Sequence, residues 1–217
     1  MYKQIIGSTL LLFALLGCRK QNDLSYAVTE AETVLQFSID GADLTQEIAD
    51  PEKNVCSGFL FSGSAGYYFG RTTGFEVNAN SAVDITFGTG RTPHAAVSQV
   101  EFEKLIAPGT RTYGSLGAFN SYPGLKSGCV EISFTDKHNT RWASTHIQEK
   151  QTSYGIDAAV TVKQPGGEFI IESIELQQRA PLRYLVKGHF KCILFEVNGR
   201  NQKQIKGNFR AFVDNIN

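Results

Sequence analysis

From residue 33 onward, apolar and polar side chains alternate with a period of two over short runs, as strands that bury one face require. Leu35, Phe37 and Ile39 alternate with Gln36 and Ser38, and Gly41 ends the run. Residues 43–54 are polar and contain Pro51, so they read as a loop. Phe59 and Phe61 open a second strand, and Gly66, Gly70 and Gly74 mark a hairpin or a twisted edge. Val83, Ile85 and Phe87 alternate with Asp84 and Thr86, and Val130, Ile132 and Phe134 with Glu131 and Ser133. Asp136-Lys137-His138-Asn139 reads as a turn and 141–144 as the returning strand. Ile156, Ala158, Val160 and Val162 make another run, after which Pro165-Gly166-Gly167 turns the chain into a strand at 169–176. Residues 184–197 form a long strand, Asn198-Gly199 is a hairpin signal, and Ile205, Phe209, Ala211 and Val213 form the closing strand.

One helix interrupts this pattern. Ser98-Gln99-Val100-Glu101 is a capping box, Phe102, Leu105 and Ile106 share one helical face, and Pro108-Gly109 stops the helix. The spacing predicts a helix over 98–106, with a strand over 97–103 as the alternative. Roughly 10–12 strands and one short helix make a mainly β chain, an antiparallel β-sandwich. A lipocalin-like β-barrel is the alternative, which inward residues too small to fill the middle would reveal. No long helical patterns alternate with the strands, which excludes a parallel α/β sheet.

Composition agrees with this reading. The 217 residues include 21 Gly, 15 Phe and 8 Tyr against one Trp and one Met. Basic and acidic side chains number 21 each, so no bulk charge favours nucleic acid as a partner.

The N-terminus breaks the β pattern. Lys3 precedes an uncharged, mostly apolar run, Ile5–Leu16, which is shorter than the about 20 residues of a membrane span and fits the core of a secretory signal. It ends in Leu15-Leu16-Gly17-Cys18, which resembles the lipobox of bacterial lipoproteins. An ordinary signal peptide with an incidental cysteine is the alternative. The resemblance implies cleavage after Gly17 and a diacylglycerol, an acyl lipid, on the Cys18 sulfur. Two buried chains at about 0.8 kcal/mol per CH₂ would hold the protein to a membrane while its polypeptide stays in water. Leu16 is bulkier than the residue often found at its place. Arg19 stands where inner-membrane retention in Gram-negative lipoproteins typically uses Asp, which implies the outer membrane, on either its periplasmic or its cell-surface face. The organisation expected is thus a signal peptide at 1–17, a polar tether at 18–31 and one β-rich domain at 32–217. Without Lys3 the exported chain carries 20 basic and 21 acidic side chains. Cys56, Cys129 and Cys192 remain, either as reduced thiols or with one disulfide among them, for which no pairing is preferred.

Residues 98–213 resemble a group of Bacteroidetes lipoproteins that carry a domain of unknown function. The resemblance lies in Ala107-Pro108-Gly109-Thr110 with Tyr113-Gly114, in 128–136 (GCVEISFTD) with 141–145 (RWAST), and in Gln151-Thr152-Ser153. It continues in Gly188-His189-Phe190 and in Gly207-Asn208-Phe209-Arg210. The turn at Asp136–Thr140 departs from the group's pattern in lacking a glycine, and residues 32–97 match less clearly. The group implies localisation and an all-β fold but no catalytic residue.

Patterns that carry chemistry are sparse. His94, His138, His146 and His189 are scattered, with no metal-binding spacing, and Asp40-Gly41-Ala42-Asp43 lacks the spacing of a calcium loop. Ser64 lies outside any nucleophile elbow, and Gly88-Thr89-Gly90 lacks the rest of a dinucleotide fingerprint. Glu101 and Glu103 would pair for acid–base work on a strand but diverge on a helix. The aromatic faces of Tyr67, Tyr68 and Trp142 are the candidate ligand-binding residues, able to stack on sugars or peptides if exposed, with ordinary β core as the plain alternative. The sequence therefore points to a lipid-anchored, non-catalytic module that binds glycan, protein or envelope polymer and needs no cofactor beyond its lipid. A structural or assembly subunit of an envelope complex, or an atypical hydrolase, would be the alternatives.

Overall fold

The computed structural model describes residues 33–48, 55–63, 66–78, 80–88, 97–114, 128–152, 155–161, 164–179, 182–197 and 199–215. Within these the chain forms β1 (Thr33–Ile39), β2 (Ala42–Ile48), β3 (Val55–Gly63), β4 (Gly66–Asn78) and β5 (Ser81–Gly88) before the helix α1 (Gln99–Ile106). After it come β6 (Gly109–Thr110), β7 (Thr112–Tyr113), β8 (Cys129–Thr135), β9 (Arg141–Ala143), β10 (His146–Thr152) and β11 (Gly155–Thr161). Three long strands finish the domain: β12 (Glu168–Arg179), β13 (Leu182–Glu196) and β14 (Gln202–Asn215).

One 12-stranded sheet runs β2-β1-β14-β13-β9-β8-β5-β4-β3, with β12 beside β13, and β10 and β11 form a separate hairpin. The join between β13 and β9 consists of two residue pairs, Phe195 with Ala143 and Glu196 with Trp142. At this short join the sheet folds over, so that β2-β1-β14-β13-β12 face β9-β8-β5-β4-β3. Rings from the two halves meet in the middle: Phe37 of β1 lies 6.4 Å from Phe134 of β8, and Phe87 of β5 lies 5.9 Å from Phe169 of β12. The sheet's path ends at β2 and β3 without closing. The expected sandwich-like class is therefore the observed one, and the barrel alternative is not. Large rings fill the interior completely: Phe69, Phe75, Phe87, Phe102, Phe169 and Phe190 are all fully buried. Each contributes on the order of 2–3 kcal/mol of transfer free energy.

The two Gly-x-Phe motifs of the second half explain one another. In the β13–β14 register Gly188 stands opposite Phe209, and Phe190 stands opposite Gly207. Each ring lies over the glycine of the neighbouring strand, and Phe169 packs against both, at 6.4 Å from Phe190 and 5.4 Å from Phe209. A Cβ on Gly188 would stand 2.3 Å from the Ile170 carbonyl oxygen and 2.8 Å from the Phe209 ring. One on Gly207 would stand 2.6 Å from the Gln36 carbonyl oxygen and 2.9 Å from Phe190.

Helix α1 forms where the capping box predicts it. The backbone N–H of Glu101 donates to Ser98 Oγ, and the Glu101 carboxylate accepts from the Ser98 backbone N–H. Phe102, Leu105 and Ile106 are buried, and the Phe102 ring meets that of Tyr184 at 5.8 Å. The Arg111 guanidinium donates to the carbonyls of Leu105 and Ala107, which satisfies acceptors that the helix end leaves open. The strand alternative for 97–103 therefore falls. Beyond the helix, β6 pairs with β12 and β7 pairs in parallel with β8, so residues 109–113 strap the two halves together.

Other expectations need correction. Residues 43–48, read as part of a polar loop, belong to strand β2, Ala42–Ile48. Asp40 and Gly41 adopt φ of 48° and 86°, a tight turn that lays β2 along β1 whatever the polarity of its sequence. Among the described residues there are fourteen strands rather than 10–12. The difference comes from β2, from the two-residue strands β6 and β7, and from β10, none of which carries a long alternating run. At the turn where a glycine was missing, Asn139 takes up the left-handed conformation, with φ of 62°. Among the described residues no helix is long and apolar enough to cross a membrane.

Candidate binding groove

The outer face of β12-β13-β14-β1-β2 carries the polar partners of the buried motif residues. Strand alternation turns Gly188, Phe190 and Cys192 inward and Lys187, His189, Lys191 and Ile193 outward. On β14 it likewise turns Lys206, Asn208 and Arg210 outward. The register aligns these residues in rows across the face. One row runs Glu168, Lys191, Lys206, Ser38, Asp43, and the next runs Ile170, His189, Asn208, Gln36.

Two adjoining hollows lie on this face, of about 870 and 540 Å³, and they share Ser38, Lys191 and Lys206. The larger one is walled on one side by the Asp40-Gly41 turn and on the other by Pro165-Gly166-Gly167. Both walls are fixed. Asp40 donates its backbone N–H to the Gln204 carbonyl at 3.0 Å, and Asp40 Oδ1 accepts the Gln204 N–H at 2.9 Å. The side-chain amide of Gln164 stands in for a missing strand: it donates to the carbonyls of Ser144 and Ile193 and accepts the Ile193 N–H at 2.7 Å. Tyr113 braces the same region from inside by donating to the carbonyls of Glu168 and Lys191. The result is a rigid, open trough with ammonium, amide and hydroxyl groups, suited to holding a polar ligand along the strands.

Charge is unevenly placed across this face. Lys191 and Lys206 line both hollows, while Glu172, Lys187 and Arg210 lie beyond their lining. Glu172 pairs with Lys187 at 3.3 Å and with His189 at 2.9 Å. Hydrogen bonds from His189 and Lys187 hold its carboxyl below the ordinary range. The ion pairs among the described residues include none with Lys191, Lys206 or Arg210.

Of the residues singled out from sequence, Asp40, Gly41, Asp43 and His189 line the hollows. Trp142 is not an exposed platform: it is 5% exposed. Its indole N–H donates to Asp136 Oδ2 at 3.1 Å, and the Lys203 ammonium covers its face at 4.0 Å. Alternation on a three-residue strand does not say which face is inward, and β9 turns Trp142 into the core. Tyr67 and Tyr68 sit on β4, but their side chains lie outside the described residues, as do Cys18, His94 and Ser64. No disulfide joins Cys56, Cys129 and Cys192. Burial pushes the Cys129 thiol up to about 11 and the Cys192 thiol up to about 12, so neither is a thiolate at neutral pH. Glu101 and Glu103 diverge, the first capping α1 and the second accepting from Tyr184 and Gln99. Among the described residues, no three His, Cys, Asp or Glu side chains converge as metal ligands would.

Asp136 organises the turn beneath Trp142. Its carboxylate accepts from the backbone N–H groups of His138 and Thr140, from Trp142, and from Lys203 at 3.6 Å. Burial on its own would raise this carboxyl, but those hydrogen bonds and the Lys203 charge outweigh it and hold the group down at about 2. A folded value below the unfolded one gives stability that is complete above about pH 4 and is lost as pH falls toward 2. Denaturant midpoints measured from pH 6 to pH 2 should show Asp136→Asn less stable at pH 6, with the gap closing toward pH 2. A gap that stays constant with pH would contradict this account.

Searches of protein-family models, curated proteins and solved structures find no match to this chain. The trough therefore has to be read from its own chemistry. Sequence reasoning missed Lys191, Lys206 and Arg210, although a signal for them existed. Centring the last hairpin on Asn198-Gly199 places residue 191 opposite 206 and 187 opposite 210, which is the register observed.

Proposed function

We propose that this protein is a lipid-anchored envelope lipoprotein that acts as a non-catalytic binding module, held to the outer membrane through Cys18 and engaging a polar envelope polymer in the trough. The single observation that supports binding there is a hollow across β13 and β14, walled by two tight turns and lined by polar side chains that include Ser38, Lys191 and Lys206. Sites that take extended ligands need such a preformed cleft with a few convergent polar groups. The anchor rests on the Leu15-Leu16-Gly17-Cys18 motif.

Both parts can be tested. Cys18→Ser should move the protein from the membrane fraction to the soluble or uncleaved pool and remove the mass of the lipid. A membrane-bound protein of unchanged mass would overturn the anchor. For the trough, hydrogen exchange of the full chain should slow across 188–192 and 204–208 when a defined oligosaccharide panel is added. Protection confined to other strands would overturn that site.

A further inference from the structure

Two features of the outer face break a rule of sheet stability. Lys191 stands directly opposite Lys206, and Lys187 directly opposite Arg210. Like charges directly opposite on neighbouring strands are destabilising, and nothing in the packing of the core requires them here, since all four point outward. The ion pairs of this face draw Glu172 to Lys187 and His189, while Lys191, Lys206 and Arg210 enter none among the described residues. Departures from local preference without a structural return belong to functional sites.

We infer that the trough takes an extended acidic polysaccharide, one anionic group seated on the Lys191/Lys206 row that lines both hollows and the next on the Lys187/Arg210 row just beyond their lining, where Arg210 is the cation not engaged by Glu172. This rests on the trough being the binding site proposed above. The two rows are four residues apart along the strands, roughly 13 Å at the usual rise, too far for one small anion and suited to a chain with repeated charges. Between them lie His189, Asn208 and Gln36, whose donors and acceptors match sugar hydroxyls. Glu168 and Asp43 flank the Lys191/Lys206 row on both sides, so a polyanion is favoured along β13 and β14 and repelled across them. The same flanking acids, with the raised Asp40 turn, oppose a flat anionic bilayer.

The test uses the full-length lipoprotein in uncharged detergent and four probes: a galacturonate oligomer, a sulfated oligosaccharide of similar length, a neutral glucose oligomer, and vesicles containing an anionic phospholipid. The acidic oligomers should bind with affinity that falls steeply with salt, while the neutral oligomer and the vesicles do not bind. Lys191→Gln with Lys206→Gln should weaken acidic binding at least tenfold and flatten its salt dependence, with the unfolding midpoint not lowered. Lys137→Gln, at the exposed turn after β8, should change nothing. If the neutral oligomer binds as well and protects 188–192, the trough is a binding site and the acidic inference is wrong. If no saccharide binds, both readings fail. Binding of vesicles alone would overturn the inference in favour of membrane contact.

Discussion

Gly188→Ala is expected to destabilise the fold by about 3 kcal/mol, near the upper end of what overpacking a core costs. The added methyl group would sit 2.3 Å from the Ile170 carbonyl oxygen and 2.8 Å from the Phe209 ring. The oxygen is backbone and cannot swing away, so β12 has to move off β13 or the ring has to leave its position. Either movement disturbs the contacts among Phe169, Phe190 and Phe209 that centre this half of the core. Gly207→Ala should behave similarly, because its methyl group meets the Gln36 carbonyl oxygen at 2.6 Å. Gly166→Ala is the control: its φ of 69° carries backbone strain, but open space surrounds its Cβ, so the cost should be near 1 kcal/mol. Urea unfolding of the three variants decides the matter. Equal losses at Gly188 and Gly166 would show that backbone conformation, not ring-over-glycine packing, sets the requirement.

Trp142→Ala is expected to cost about 4 kcal/mol, as removal of a buried large aromatic side chain does. The loss combines the cavity left by a 5% exposed indole with the loss of a hydrogen-bond donor to Asp136 and of the face that Lys203 covers. Trp142→Phe keeps most of the volume and the face, and it should cost about 1.5–3 kcal/mol, the value of a hydrogen bond to a charged acceptor. The pair of variants separates packing from polarity. A ligand-stacking role would give a different result: saccharide binding lost with stability unchanged.

Much of the architecture is legible in the chain because burial of one strand face imprints a period of two. The runs at 35–39, 83–87 and 130–134 fall within β1, β5 and β8, and the run at 184–197 overshoots the end of β13 by one residue. The helix was legible for a different reason, since Ser98 and Glu101 satisfy backbone groups only at a helix start. β2 was not legible, because a strand enforced by a tight hairpin needs no apolar alternation of its own. The sequence left Trp142 between an exposed platform and ordinary β core because β9 is three residues long, too short for alternation to assign a face, and the core alternative is the observed one.

A mainly β, antiparallel domain with one capped helix can be read from the chain alone, as can a cysteine where a lipid anchor would require it. Those features depend on neighbours within a few residues, so local chemistry encodes them. Three-dimensional packing alone settles that the sheet folds at the two-residue join between β13 and β9 instead of closing into a barrel. It also decided that Gly188-His189-Phe190 and Gly207-Asn208-Phe209 are two halves of one packing unit, and that the lysines flanking them face each other across the strands. Pairing between distant residues is set by how all the inner-face side chains fill a shared volume, which no stretch of the chain contains alone.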